Sequence, residues 1–508
     1  MRIKIVNIFL SLFISCTMYS QIGDYYVAVD GDDSNAGTYA APFATWQKAF
    51  NEAEPGDTVY IRGGVYKTSK PTAINPYAFP SPMGVSGTRE NPIHYFGYPP
   101  DINNSIFPII DCIQHCDSIE NPYGKVYNAA IYLRKVEYIH FKDIEIRNVF
   151  QCDSVLNGAI TAEACANLTF EHIIMHDIGQ RGYWIQGGAW GESLNDGTEI
   201  FAYDTTKWIN CDVYNLFDTI SSSPGNGADA WKTIHYSGNY ILWDGCRAWY
   251  YADDGWDPNS SSHGGSGKGA IRVLTNCWAM ASNKYRNNYS TGWQTERNGF
   301  KFASGGDDPD PSNKTVIMKN CLALYSNTGM GEIYNTLANG EYYNNTFFKN
   351  GIGITATSNS TSIFKNNLVF GSTEKDPGLK RPYNIAIHYN TTYTESHNTW
   401  DKTASYPHFE MTDSLDLNDD DFVTVDSLEL VELFTAPRNI DGSLPPFPLK
   451  LAPDSDLKDA GIDVGLPFNG VAPDIGAFEY AAPATSRGKG SSAGGGKLYI
   501  RNGKIYVR

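Results

Sequence analysis

The chain has 508 residues, 41% hydrophobic and 13% aromatic, with 48 Gly and 26 Pro, a composition that excludes an intrinsically disordered polymer. Its 39 Lys and Arg against 56 Asp and Glu give a formal charge of -17, which argues against nucleic acid or an anionic membrane as the main partner. Thirty-three Tyr and 24 Phe beside many Asn and Gly, with few long Leu/Ala/Glu/Lys stretches, favour strands and turns over helices.

At the N-terminus, Arg2 and Lys4 precede an apolar run from Ile5 to Ile14 and then small or polar residues up to Ser20. This is the form of an export signal, too short to span a bilayer. Cleavage before Gln21 is expected; lipid attachment at Cys16 is the alternative, with Phe13 a poor fit to that pattern. No later segment has the roughly eighteen unbroken apolar residues of a membrane span. The mature chain is therefore expected to be an exported monomer, periplasmic, secreted or at the cell surface. Next, TWQKAFNEA (45–53) predicts a short amphipathic helix, followed by the Pro55-Gly56 turn and the strand DTVYIRGGVYK, the arrangement that caps an open core.

Eight cysteines remain after the leader. Cys112 with Cys116 and Cys152 with Cys165 are plausible disulfides, whereas Cys211, Cys246, Cys277 and Cys321 recur at one place in a repeat and read as small residues stacked in a core. No Cys/His cluster has zinc spacing. That repeat starts near residue 138, with matches HFKDIEIRNV, LTFEHIIMHD, WINCDVYNLF, LWDGCRAWYY, VLTNCWAMAS, IMKNCLALYS, YYNNTFFKNG and FKNNLVFGST. Taking Asp143, His172, Cys211, Cys246, Cys277, Cys321, Asn345 and Asn367 as markers gives steps of 29, 39, 35, 31, 44, 24 and 22 residues. Short period-2 strands at such steps, with Asn at the turns, predict an all-β parallel β-helix whose longer steps carry inserted loops.

Candidate chemistry is densest between Asn226 and Gly306. NGADAW places Asp229 one coil before DDGWD, in which Asp253, Asp254 and Asp257 share a turn. Four carboxylates on neighbouring coils repel unless a cation holds them, and oxygen-only ligands suit a hard ion such as Ca²⁺. Lys301, in NGFKF between Phe300 and Phe302, is placed about two coils further on, where it could face the same groove as a base. Arg297 and Arg272 are candidates for contacting anionic groups of a substrate.

The mature N-terminal segment YYVAVDGDDSNAGTYAAPFATWQKAFNEAEPGDTVYIRGGVY resembles the opening of bacterial right-handed β-helix proteins that act on polysaccharides. The order NGADAW, DGCRAWYYADDGWD, NCWAM, NGFKF resembles the catalytic region of polysaccharide lyase family 9. That resemblance implies a right-handed fold, a catalytic calcium held by Asp229, Asp253, Asp254 and Asp257, and Lys301 as the Brønsted base of a β-elimination on an acidic plant cell-wall (pectic) polysaccharide. Two departures stand out: Ala230-Trp231 where Gly-Phe is expected, and Ala303-Ser304 where Leu-Gly-Gly is usual. The substrate is rhamnogalacturonan I or homogalacturonan (pectate), with a lean to the former from Trp249, Tyr250, Tyr251, Trp293 and the loop Pro258 to Gly269, read as a sugar-stacking groove. The rivals are an inverting glycoside hydrolase using Asp253 with Asp254 or Asp257, and a carbohydrate-binding β-helix without activity.

Other motifs carry less. HGGSGKG (263–269) lacks phosphate-loop spacing, DLNDDDFVTVDSLE (416–429) lacks the glycine of a calcium loop, and GGDDPDP (305–311) reads as a solvated turn. RNIDGSLPPFPLKLAPDSDLKDAGIDVG is expected to cap the C-terminal end of a β-helical domain spanning 21–480. Residues 481–508 read as an Ala/Gly/Ser linker and a hairpin around Asn502-Gly503, the tail of an exported Bacteroidetes-type protein.

Overall fold

The computed structural model describes residues 23–481 apart from 69, 77–81, 113–118, 121–125, 152–155, 187–204, 219, 221–223, 237–239, 262–270, 282–295, 306–315, 334–338, 357–360, 373–382, 388–391, 401–414 and 416, together with 498–501 and 504–507. The leader, Cys16, Cys116, Cys152, Trp293 and most of the 305–311 turn lie outside the described residues.

The chain coils as a parallel β-helix. Each full turn contributes one strand to each of three stacks. In the first stack, Trp231–Tyr236, Trp256–Ser261, Phe300–Gly305 and Thr328–Ile333 pair in parallel. Thr205–Ile209, Tyr240–Asp244, Ile271–Thr275 and Val316–Lys319 form the second. The third holds Asp212–Leu216, Arg247–Tyr251, Trp278–Met280 and Leu322–Leu324. Parallel pairing in register places like residues above like, and period-2 alternation sends one set inward. The interior is consequently a set of ladders, among them Phe141–Phe170–Trp208, with ring centroids 5.7 and 4.0 Å apart, and Trp231–Trp256–Phe300, at 4.5 and 4.7 Å.

The bend between the second and third stacks explains the repeat. Asn210, Gly245, Asn276, Asn320, Asn344 and Asn366 occupy equivalent positions there, with φ between 52° and 66°. Such left-handed backbone is tolerated by Asn and Gly at least cost. The next residue in each turn is Cys211, Cys246, Cys277, Cys321, Asn345 or Asn367, all buried. The four cysteines are free, as expected of stacked core residues. Where Asn takes over, its amide continues the ladder: Asn345 Nδ2 donates to Asn367 Oδ1 (2.9 Å), and Asn367 Nδ2 to Asn398 Oδ1 (2.9 Å). Two early markers need correction, because Ile174 pairs with Asp212. Asp143 and His172, at φ 57° and 52°, therefore stand at the bend itself, one residue before the position of the cysteines.

At the N-terminal end the helix Trp46–Glu52 forms where predicted, with the Thr45 side chain accepting from Lys48 N. Its buried Phe50 meets Tyr95 at 4.5 Å, closing the first coils of the core. The C-terminal segment behaves differently from expectation. Instead of closing the far end, it lies along the outer face of the third stack, whose exterior carries Trp249, Trp278, Leu322 and Phe348. Helix Ser427–Phe434 sets Phe434 against Trp278, Arg438 Nη2 donates to Asp212 Oδ1 (2.6 Å), and Ala477 N donates to Thr346 Oγ1 (2.8 Å). An apolar outer face needs a cover, and this segment is it. The tail strands Leu498–Arg501 and Lys504–Val507 pair antiparallel, as a hairpin requires. No helix among the described residues is long and apolar enough to cross a membrane.

Candidate functional site

Three inward aromatic residues of the first stack set the site. Trp231, Trp256 and Phe300 are buried in register, so the residue after each faces outward: Lys232, Asp257 and Lys301. Two residues before each aromatic, at the entry to the strand, come Asp229, Asp254 and Asn298. The predicted acids and base thus meet on one outer face across three successive coils. Lys301 stands one coil beyond the Asp253–Asp257 turn, closer than the two coils expected from spacing, because residues 262–270 and 282–295 lengthen that single coil.

Asp229, Asp254 and Asp257 each offer a carboxylate oxygen within 4.8 Å of the others, and none is more than 1% exposed. Asp254 Oδ1 accepts from Asn298 N (3.1 Å) and Asn298 Nδ2 (2.9 Å), while its Oδ2 accepts from Lys301 Nζ (3.0 Å). Asp229 Oδ1 accepts from Asp254 N (3.2 Å). Asp253 stands beside this trio with its carboxylate turned to backbone amides, accepting from Gly227 N (2.7 Å) and Glu296 N (3.2 Å). Asp257 Oδ2 contacts Lys232 Nζ and lies 3.7 Å from Lys301 Nζ. Glu296 Oε2 is 2.7 Å from Lys301 Nζ.

The electrostatics follow from crowding. Burial, then the charges of Asp254 and Asp229, push the Asp253 carboxyl well above the usual carboxylate range. Burial also pushes Asp254 up, to about 6, against the opposing pull of Lys301. For Lys301, burial alone would lower the ammonium's pKa, but Asp254 and Glu296 outweigh it and the net direction is up. Five carboxylates face the cationic groups of Lys232, Lys301 and Arg181, a formal excess of two negative charges. Asp229 Oδ2 is buried and accepts no hydrogen bond among the described residues; the nearest cationic atoms, Arg181 Nε and Lys232 Nζ, stand at 3.9 and 4.0 Å. An orphaned carboxylate oxygen in an all-oxygen donor set fits a hard divalent cation such as Ca²⁺.

Two sequence expectations are corrected by the register. Arg272 does not face this surface: Ile271 is the outward residue of its strand, at 37% exposed, and Arg272 points into the coil at 1%. There Nη1 donates to Pro258 O (3.0 Å) and the guanidinium lies near Glu332, a buried carboxylate that also accepts from Tyr342 Oη and Ser362 Oγ. Nor do Trp249 and Tyr251 line a sugar-stacking groove, while Trp293 and most of the loop from Pro258 to Gly269 lie outside the described residues. Trp249 is covered on the third stack, 6.4 Å from Phe434, and Tyr251 is fully buried with Oη against Ser326 Oγ. Arg297 does reach the neighbourhood, half-buried at φ 49° immediately before Asn298.

Lys232, Glu296, Asn298 and Arg181 complete the site and were missed. The signal for Lys232 was present as an aromatic followed by a charge in WK, WD and FK, three times at successive coils. Asn298 shared the offset of Asp229 and Asp254, but nothing local announced it.

A family model described as Pel9A-like, right handed beta helix region, matches residues 25–367. Pectate lyase L of Dickeya chrysanthemi is 26% identical over 469 residues, covering 90% of each chain. Among solved structures, that of pectate lyase Pel9A superposes with TM-score 0.59 at 22% identity, over 90% of this chain and 96% of its own. A rhamnogalacturonan lyase follows at TM-score 0.57 and 21% identity, over 85% and 96%. Both superpositions carry the fold, and the family match spans the three coils that build the acidic face. The chain belongs to the Pel9A-like right-handed β-helix family, polysaccharide lyase family 9.

Proposed function

We propose that the protein is an exported, calcium-dependent lyase that cleaves a galacturonate-containing pectic backbone by β-elimination. The observation that carries this reading is the outward Lys301 in contact with a buried trio of carboxylates, one of whose oxygens has no hydrogen bond among the described residues. Pectate lyase L and the solved rhamnogalacturonan lyase are similar along most of their length, which supports the substrate class.

Asp229, Asp254 and Asp257, with Asp253 beside them, would hold the cation, which when bound neutralises a uronate carboxylate and stabilises the enolate-like charge that develops at C5. Lys301 Nζ takes the C5 proton; the electron pair forms the C4–C5 double bond as the O4 substituent leaves. Lys301 must enter this step as a free amine. In the metal-free chain Asp254 and Glu296 hold its proton; a cation on Asp254 would remove the largest single pull and let burial, which favours the neutral amine, count for more. Asn298 fixes Asp254 by two hydrogen bonds, and Arg297, the residue before it, would meet a substrate carboxylate.

With Trp249 and Tyr251 buried elsewhere, no aromatic among the described site residues favours rhamnogalacturonan I over polygalacturonate, and both are assayed. The test is ultraviolet absorbance of the 4,5-unsaturated product from each polymer, with calcium, with chelator and with Lys301→Ala. Chelator should abolish the signal and the substitution should lower kcat by roughly 10²–10⁴-fold, the range for losing a general base. Reducing ends without that absorbance would establish hydrolysis instead.

A further inference from the structure

We propose that Lys232 is a tethered counter-ion: in the metal-free chain its ammonium occupies the mouth of the acidic site, and on metal loading it is released to bind a carboxylate of the polysaccharide. This rests on the metal-dependent reading above and adds a role for a residue outside the ligand set and the base.

The geometry points to exchange. Lys232 Nζ contacts Asp257 Oδ2 and lies 4.0 Å from Asp229 Oδ2, so its partners among the described residues are two members of the trio itself. Lys301 differs, because it keeps Glu296 Oε2 at 2.7 Å, a carboxylate outside the trio. A divalent cation drawing on the oxygens of Asp229 and Asp257 brings like charge within a few ångströms of the Lys232 ammonium, and in a buried site that repulsion is strong. Lys232 therefore has to leave those oxygens when the site is loaded.

Its backbone cannot follow. Lys232 pairs with Trp184 on one side and Asp257 on the other, and the preceding Trp231 is buried against Trp256 at 4.5 Å. Only the four-carbon stem can swing, and with the interior filled by Trp231 the open direction is outward. The Lys232 side chain is already 18% exposed where the acids show 1%. The swing delivers a cation to the outer face of the first stack, one coil before Asp257 and two before Lys301, where a polyuronate lying along that face presents the carboxylate of a sugar next to the one being cleaved. An ammonium meeting a carboxylate at a partly desolvated surface is a favourable charge-assisted contact.

Calorimetric titration of CaCl₂ into the full-length chain, wild type and Lys232→Met, at fixed ionic strength, tests the exchange. Removal of the competing ammonium should tighten calcium binding by about tenfold, the effect expected of one nearby charge in a partly buried site. Equal or weaker binding by the variant overturns the proposal. If the wild type shows no calcium binding by heat or by calcium-dependent thermal stabilisation, the metal-dependent reading falls first, and this one with it. Lys232→Gln, checked by circular dichroism in chelator, provides a second folded variant with the charge removed. With polygalacturonate and saturating calcium, Lys232→Met should raise KM by about fivefold, more than it lowers kcat, while Lys232→Arg keeps KM within about twofold. An unchanged KM in Lys232→Met overturns the delivery to substrate.

Discussion

Asn298 shows how much of the site depends on one amide. Its backbone N and Nδ2 both donate to Asp254 Oδ1, leaving Oδ2 to face Lys301, so the carboxylate is held in one orientation. Removal of a hydrogen bond that orients a metal ligand typically costs about 10–100-fold in metal affinity. Asn298→Ala should accordingly weaken calcium binding by about tenfold in calorimetry while Lys301 stays in place; unchanged affinity would show that the backbone N–H alone orients Asp254. Asp253, Asp254, Asp257 and Lys301, which the structure brings together, were legible in the sequence because DDGWD and NGFKF concentrate charge next to aromatics. Asn298 and Lys232 were not, because an amide and a lysine gain meaning only when the register stacks them on Asp254 and Asp257. Arg272 failed for the same reason in reverse: one residue of alternation decides between groove and core, and its buried partner Glu332 lies 60 residues away in sequence.

The C-terminal segment is fastened to the coils by a buried ion cluster. Asp212 accepts from Arg247 Nη2 (2.7 Å) and from Arg438 Nη2 (2.6 Å), and Arg247 Nη1 donates to Phe434 O (2.8 Å), so coil and cover share one set of charges. Burial alone would raise the Asp212 pKa, but Arg247 and Arg438 outweigh it and hold the group down to about 2. A depressed carboxylate contributes stability that is present in full above its unfolded value near 4 and is lost as pH falls through about 2. Between those limits the cover should loosen, seen as lower hydrogen-exchange protection, relative to the intrinsic amide rate at each pH, in residues 427–438 at pH 3 than at pH 7. Asp212→Asn should produce that lower protection at pH 7 and cost about 3 kcal/mol, the scale for stranding a buried charge; exchange no faster than in the wild type would mean the segment is held by Phe434 and Phe447 packing instead. The sequence marked this segment as terminal but placed it at the wrong surface, since its apolar residues match the outward side of the third stack, a side that period-2 patterning alone assigns to solvent.

From Asn210 to Asn367, one positional rule accounts for the fold: each coil repeats a left-handed Asn or Gly, then a small or amide-bearing residue, then an inward-outward strand, while the two coils before it carry Asp143 and His172 at the bend instead. The rule was readable because the Cys and Asn markers recur, and their spacings of 35, 31, 44, 24 and 22 residues agree with the pairing of Asp212, Arg247, Trp278, Leu322, Thr346 and Leu368. It predicts that Cys211, Cys246, Cys277 and Cys321, each 0% exposed, stay unlabelled by a thiol reagent in the native chain and react only after unfolding, as read by mass spectrometry of their peptides. Labelling without denaturant, or a disulfide among the four, would refute the ladder. Lys232, Asp257 and Lys301 sit on the paired strands of the first stack, with Asp229, Asp254 and Asn298 at the turns leading into them, whereas the stretches 262–270, 282–295 and 306–315 fall between strands in the sequence. Descendants of this chain can therefore lengthen, shorten or recolour those stretches while the strand register keeps Lys232, Asp257 and Lys301 stacked: ornament and charge constellation are free to drift on separate parts of the same coil.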